Sequence, residues 1–135
     1  YFSTSLKKHT RRIKPLLLDQ SFIAGIGNIY ANEALWLAKI HPAAFAKTLS
    51  ILQQKALFKA ITAVLKQGVE NRGTSLGHEI GNYTSVARDA GGNQSFLKVH
   101  GKARQSCSRC HAVIQRIMLA QRSAFICPVC QAAEK

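Results

Sequence analysis

Four cysteines carry the clearest chemistry in this sequence. Cys107 and Cys110 form one Cys-x2-Cys pair, and Cys127 and Cys130 form a second pair after sixteen intervening residues. Zinc takes four soft ligands in a tetrahedron, and each Cys-x2-Cys turn offers two sulfurs from one knuckle. A hairpin of the intervening length returns the second knuckle to the first, which is the pattern of a zinc ribbon. A segment of 24 residues, 107 to 130, buries too little core to fold alone. The metal is therefore expected to supply its folding free energy. Two disulfides, a redox Cys-x2-Cys and an iron–sulfur cluster are the rivals. The N-terminus shows no signal-peptide pattern, which disfavours disulfides. No thioredoxin-like β-α-β pattern is present to house a redox pair. One structural Zn2+ is the expectation, since four protein ligands leave no position open to water. His100 and His111 lie nearby in sequence. With four sulfurs available, both are expected at the surface or facing a nucleic acid.

Two further places suit polar recognition. Gly25-Ile26-Gly27-Asn28 permits a tight turn straight into a helix, with Asn28 at the helix N-terminus. One reading is a plain N-cap. The other is a phosphate site made of free backbone N–H groups, the helix dipole and the Asn28 amide. Physics alone leaves the two even. No dinucleotide fingerprint is present, because a preceding strand and a third glycine are missing. Arg122 is expected at the tip of the ribbon hairpin. An arginine there is either simply exposed or grips a phosphate bidentately.

The elements that position these residues are mostly helical. Residues 3 to 19 predict a helix capped by Ser3-Thr4-Ser5, with a second short helix starting at Lys14-Pro15. A turn over Ser21 to Gly27 leads to a buried helix over Asn28 to Lys39, ended by His41-Pro42. Ser50 to Asn71 is the clearest helix, opened by the capping-box pattern Ser50-x-x-Gln53. Its apolar residues fall in two adjacent rows, Leu52, Ala56, Ala60 and Val64, then Leu57, Ile61, Leu65 and Val69. Gly73 suits the position past its end. Thr74 to Glu79 is expected to add a short helical turn, and Asn82 to Ser95 reads as a loop. Phe96 to His100, Val113 to Leu119 and Ser123 to Ile126 predict short strands.

The chain has 135 residues, with 19 Lys+Arg against 6 Asp+Glu, a formal net charge of +13. Solubility alone asks for a net charge of roughly 2–8 in a small domain. A polyanionic partner, nucleic acid or an anionic membrane surface, is the natural reading. The charge gathers at two ends: Lys7 to Lys14, and Arg88 to Arg122. Hydrophobic residues make up 47%, which excludes a disordered basic tail. No apolar run approaches the ~18 residues of a membrane span. The first residue is Tyr1 rather than Met, so a fragment or processed chain is expected, with any further chemistry upstream.

Together these residues resemble the C-terminal half of the bacterial formamidopyrimidine-DNA glycosylases. The resemblance is carried by Ile13-Lys14-Pro15-Leu16-Leu17-Leu18-Asp19-Gln20 and by Gly25-Ile26-Gly27-Asn28-Ile29-Tyr30-Ala31-Asn32-Glu33. Ile40-His41-Pro42, Arg72-Gly73-Thr74-Ser75-Leu76 and the run Ala120 to Gln131 continue it in order. It covers essentially the whole chain. It implies a mainly α-helical domain, the helix-two-turn-helix, over residues 1–95, followed by a small β zinc ribbon over 96–135. It also implies a lesion-capping loop from about Tyr83 to Phe96. Lys14 and Asn28 match the family's phosphate-gripping positions, and Arg122 matches its zinc-finger arginine. Three residues depart from the family pattern. His100 stands for a tyrosine, Lys102 for an arginine, and His111 for the glycine after the knuckle.

The family implies base-excision repair of oxidised purines, 8-oxoguanine and formamidopyrimidines, by base flipping and covalent amine catalysis. Its catalytic proline and glutamate belong to an N-terminal domain, so no catalytic residue is assigned here and the chain alone is expected not to cleave DNA. The implied partner is double-stranded DNA containing oxidised bases or abasic sites. A monomer in the bacterial cytoplasm, associated with the nucleoid, is expected. The competing readings are a non-catalytic damaged-DNA-binding module and an RNA- or ribosome-associated zinc-ribbon protein.

Overall fold

The computed structural model describes residues 6–70 and 97–132. The expected features at Ser3 to Ser5, Gly73, Thr74 to Glu79 and the 82–95 loop lie outside these residues. The described elements, in chain order, are α1 (Ile13–Leu18), α2 (Asn28–Leu37), a 3-10 turn (Ala46–Thr48), α3 (Ile51–Glu70), β1 (Gln115–Leu119) and β2 (Arg122–Ile126).

Leu6 and Lys7 are helical, and the chain then breaks before α1. Pro15 lies in the first turn of α1, where a missing N–H costs nothing. The free N–H groups of that turn are met from a distant loop. Ile13 N–H donates to the Ala44 carbonyl at 2.6 Å and Lys14 N–H to the Pro42 carbonyl at 3.1 Å. Ala46 N–H returns to the Arg11 carbonyl at 3.0 Å, and Arg12 and Phe45 form an antiparallel bridge. The His41-Pro42 segment thus caps α1. It does not end α2, as the sequence predicted. That helix stops at Leu37, and Lys39 adopts φ 62°. Lys39 N–H donates to Trp36 O at 3.1 Å and Ile40 N–H to Leu35 O at 2.9 Å. This left-handed turn satisfies the last carbonyls and redirects the chain.

The capping box of α3 forms in both directions. Gln53 N–H donates to Ser50 Oγ at 3.1 Å, and Ser50 N–H donates to Gln53 Oε1 at 2.8 Å. The buried face is narrower than the two predicted rows. Gln54, Leu57, Ala60, Ile61, Val64 and Gly68 point inward. Leu52, Ala56 and Val69 are exposed. The reason is the approach of α2: Tyr30 packs so tightly on Gly68 that any Cβ there would collide with its ring. The helix turns its small residue to that contact, and part of each row is left outside. Leu57, Ala60, Ile61 and Val64 share one core with Leu16, Leu17, Ala31, Ala34 and Leu35 from α1 and α2.

The ribbon is an antiparallel hairpin, with Gln115 opposite Ile126 and Leu119 opposite Arg122. Ala120 and Gln121 connect the strands with φ 52° and 65°. Positive φ at both positions meets the requirement of a type I′ turn, whose twist matches that of the strands. Arg122 is therefore the first residue of β2, just behind the tip. Val113 lies outside β1 and bridges to Ser106 instead. The strand predicted at Phe96 to His100 is not formed over its described residues, 97–100, which bend and turn. A carboxylate on α2 takes the N–H groups that a strand ladder would use.

Among the described residues, no helix is long and apolar enough to cross a membrane.

Candidate nucleic-acid interface and metal centre

The sulfurs of Cys107, Cys110, Cys127 and Cys130 all lie within 4.8 Å of one another. Cys107 and Cys130 Sγ are 3.9 Å apart, and Cys110 and Cys127 Sγ are 3.3 Å apart. A metal with Zn–S bonds of about 2.3 Å at the centre of a tetrahedron needs edges of this order. Backbone N–H groups support the inner sulfurs. Arg109 N–H donates to Cys107 Sγ and Cys130 N–H to Cys127 Sγ, each at 3.4 Å. The four soft donors, two of them buried, fit one structural Zn2+. The first knuckle closes with His111 N–H donating to the Cys107 carbonyl at 2.8 Å, and His111 itself sits at φ 68°. That is the left-handed region, which explains why a glycine suits the position and why a histidine there carries strain of roughly 1 kcal/mol.

The metal module is locked onto the C-terminal end of α2. Arg109 Nη2 donates to Trp36 O at 2.5 Å and Nη1 to Leu37 O at 3.4 Å. Gln131 is buried, takes a bond from Cys127 N–H at 2.9 Å, and donates to Ile40 O at 3.0 Å. Trp36, in the last turn of α2, packs in the ribbon core with Val99, Cys107, Ile114 and Cys127.

The other end of α2 meets the hairpin. Gly25, at φ 94°, makes a turn that Gln20 closes by accepting Gly25 N–H at 3.0 Å and donating to Ile26 O at 3.1 Å. Only a residue free of Cβ strain adopts that backbone readily. Gly27 then stands at the N-cap, and Asn28 is the first helical residue with no capping bond from a side chain. The N-cap reading of Asn28 therefore fails. Its amide Nδ2 donates instead to the Ser123 carbonyl at 3.2 Å, and its Oδ1 accepts from Lys14 Nζ at 2.5 Å. Lys14 Nζ donates to the same carbonyl at 3.1 Å, and Asn32 Nδ2 approaches it at 3.4 Å.

So the fold brings Lys14 and Asn28 together at the Ser123 carbonyl, next in the chain to Arg122. Lys14 is buried. Its partners are neutral, and among the described residues no carboxylate pairs with it or with exposed Arg122. Burial, then the charge of Arg122, bring the Lys14 pKa down to about 8. A desolvated cation beside a second cation favours an anion as third partner.

Two residues beside this cluster escaped sequence reasoning as functional positions. Glu33 is buried on α2, and its carboxylate accepts three consecutive N–H groups, from Lys98 (2.7 Å), Val99 (2.9 Å) and His100 (2.8 Å). Ser123 acts through its backbone, which no side-chain pattern reveals. His100, expected at the surface or facing a nucleic acid, is half-buried. It packs edge-on to Phe125 with ring centroids 4.9 Å apart, and its Nδ1 lies 2.9 Å from Asn32 Nδ2. The amide N–H donates, so Nδ1 is the unprotonated nitrogen. Burial and Lys14 hold the His100 pKa near 4.

A helical module whose second helix, α2, is clasped at both ends by a four-cysteine hairpin defines a helix-two-turn-helix protein with a zinc finger. Residues 1–79 match the formamidopyrimidine-DNA glycosylase H2TH domain, and residues 105–133 match the zinc finger found in FPG and IleRS. The chain belongs to the formamidopyrimidine-DNA glycosylase H2TH family, and its zinc finger holds one structural zinc. It is 49% identical over 131 residues to a formamidopyrimidine-DNA glycosylase of Herpetosiphon aurantiacus, covering 97% of this chain and 46% of that protein. With the enzyme of the same name from Enterococcus faecalis it shares 43% identity, covering 96% and 45%. A Lactococcus lactis Fpg in complex with abasic-site DNA superposes with a TM-score of 0.87 at 40% identity, over 98% of this chain and 47% of that one. Another Lactococcus lactis Fpg complex, with Fapy-dG DNA, gives 0.84 at 39%, over 98% and 46%. The chain thus spans about half the length of the relatives it matches.

Proposed function

We propose that this chain is the DNA-binding part of a base-excision-repair glycosylase and AP lyase for oxidised purines, 8-oxoguanine and formamidopyrimidines. Its partner is double-stranded DNA carrying an oxidised base or an abasic site. The observation that carries this reading is the meeting of Lys14 and Asn28 at the Ser123 carbonyl, beside the charge of Arg122, with no carboxylate partner among the described residues. Lys14 and Arg122 hold successive backbone phosphates, and Asn28 orients Lys14 while adding a donor of its own. Cys107, Cys110, Cys127 and Cys130 ligate the zinc that keeps Arg122 in register. Residues 1–95 and 96–135 form the two modules. The protein works as a monomer in the bacterial cytoplasm, on the nucleoid. No residue of this chain matches the family's amine nucleophile, so the 135-residue polypeptide binds without nicking.

Binding of the zinc-loaded chain to an abasic-site duplex, an undamaged duplex and a structured RNA, each across a range of salt, tests this. The expected order is abasic duplex first and RNA last. Arg122→Ala should lower the slope of log affinity against log salt by about 0.9, the loss of one phosphate neutralised. Asn28→Ala should lose affinity with less change in slope, because it removes no charge. Equal or tighter RNA binding, or an unchanged slope for Arg122→Ala, would overturn the reading. A nicked abasic strand would overturn the non-cleaving assignment alone.

A further inference from the structure

Trp36 is the single tryptophan of the chain. It belongs to α2 but packs beside Cys107 and Cys127. Its indole Nε1 is buried and has no hydrogen-bond partner among the described residues. The buried Cys107 sulfur belongs to the same core cluster as the indole ring. A buried donor left without an acceptor destabilises the fold. A metal-bound thiolate, which keeps lone pairs and much of its negative charge, is an acceptor that removes this cost. The ring is also held in place. The Arg109 guanidinium lies 3.6 Å from its centroid and donates to the Trp36 carbonyl. Arg109 in turn follows Cys107 by two residues, so one knuckle supplies both the sulfur and the clamp.

We propose that Trp36 is a positioning residue for the zinc centre, whose indole N–H supports the Cys107 thiolate and lowers its reactivity towards electrophiles. The proposal rests on the assignment of Cys107 as a zinc ligand. An N–H···S bond withdraws electron density from the sulfur. The thiolate then attacks an alkylating agent more slowly, and the metal is retained. Trp36 also lies in the last turn of the helix that begins at Asn28. The sulfur that it supports is thereby tied to the helix bearing a proposed phosphate contact.

The test exploits the single tryptophan. Growth of a tryptophan auxotroph on β-(3-benzothienyl)alanine replaces the indole N–H at position 36 alone and keeps the bicyclic ring. Trp36→Phe is the second variant. Each is prepared as the full chain with Co2+ for spectroscopy and with Zn2+ for reactivity. The thiolate-to-cobalt charge-transfer band reports electron density on sulfur. Zinc release under iodoacetamide, in which the thiolate sulfur displaces iodide and the metal leaves, is followed with a chromophoric zinc indicator. Both variants should shift the band to longer wavelength and release zinc about fivefold faster or more. An unmoved band in the benzothienylalanine protein overturns the proposal, whether release is unchanged or is faster through a loosened core. A parent protein without a thiolate charge-transfer band overturns the ligand assignment, and the proposal with it.

Discussion

Lys14 Nζ and the Ser123 carbonyl meet at 3.1 Å although 109 residues separate them in sequence. This bond joins α1 to the second strand of the zinc hairpin, and it holds a buried cation that has no counter-ion among the described residues. The pH dependence has a definite sign. The Lys14 pKa falls from 10.5 to about 8, through burial first and Arg122 second. Between those values the unfolded chain holds the proton and the folded chain does not. Raising the pH from 8 to 10.5 therefore favours the folded state, and the advantage is lost again as the pH falls from 10.5 to 8. Denaturant titrations should show the parent gaining on Lys14→Met by about 1 kcal/mol over this window, after allowance for solvent screening. Affinity for DNA should move the opposite way in the parent, weakening above pH 8 as the phosphate partner loses its cation. Lys14→Met should lack that trend.

Glu33 is expected to be the most sensitive polar residue outside the cysteines. Its carboxylate holds Lys98, Val99 and His100 by three backbone N–H bonds. Glu33→Gln removes the charge and turns an NH2 group towards N–H donors. Charge-assisted bonds are worth about 1.5–3 kcal/mol each to groups they satisfy, with partial replacement by the remaining oxygen. Loss of about 2–4 kcal/mol of stability is the expected result, with faster amide hydrogen exchange at residues 98–100. Protected amides in the variant would show that the anchor lies elsewhere.

Gly68→Ala should destabilise the protein in spite of alanine's better helix propensity. Alanine gains about 1 kcal/mol over glycine within a helix. A Cβ at position 68 would meet the rigid end of the Tyr30 ring, with Cζ at 2.6 Å and Cε1 at 2.9 Å. Overpacking of this kind costs about 1–3 kcal/mol. A net loss of roughly 1 kcal/mol is expected for the single variant, and Tyr30→Ala should abolish it, leaving the propensity gain. A double-mutant cycle by thermal unfolding measures that coupling.

The parts legible in the sequence are those with local causes. The Cys-x2-Cys spacing sets the knuckles, and Ser50 with Gln53 closes the cap of α3 within one turn. The apolar runs placed the helices. What was not legible depends on partners far along the chain. Residues 97–100 carry a strand-like composition, yet Glu33, 65 residues before Lys98, captures their N–H groups. Asn28 resembles a cap, yet Ser123 and Lys14 hold it. The end of α2 rests on a lysine with positive φ, which composition does not announce. The family resemblance named Lys14, Asn28 and Arg122 together, and only the fold gave them a common neighbour.

Removal of the zinc should separate the two modules in a defined order. The hairpin segment is too small to hold itself, so chelation should unfold residues 107–130 first. Its loss releases Arg109 and Gln131 from the carbonyls of Trp36, Leu37 and Ile40, and removes the Ser123 carbonyl from Lys14 and Asn28. Both ends of α2 then lose their clasp. By contrast, α3 packs on α1 and α2 through Leu57, Ala60, Ile61 and Val64, contacts in which the ribbon takes no part. Circular dichroism should therefore retain most of its helical signal after chelation, while Trp36 emission shifts to the red as its apolar shelter of Val99, Ile114 and the cysteines disperses. Affinity for DNA should fall by more than Arg122→Ala alone causes, because Lys14 and Asn28 lose their orientation as well. Complete loss of the helical signal on chelation would show that the helical module depends on the metal for its own folding, and the ordered separation would be wrong.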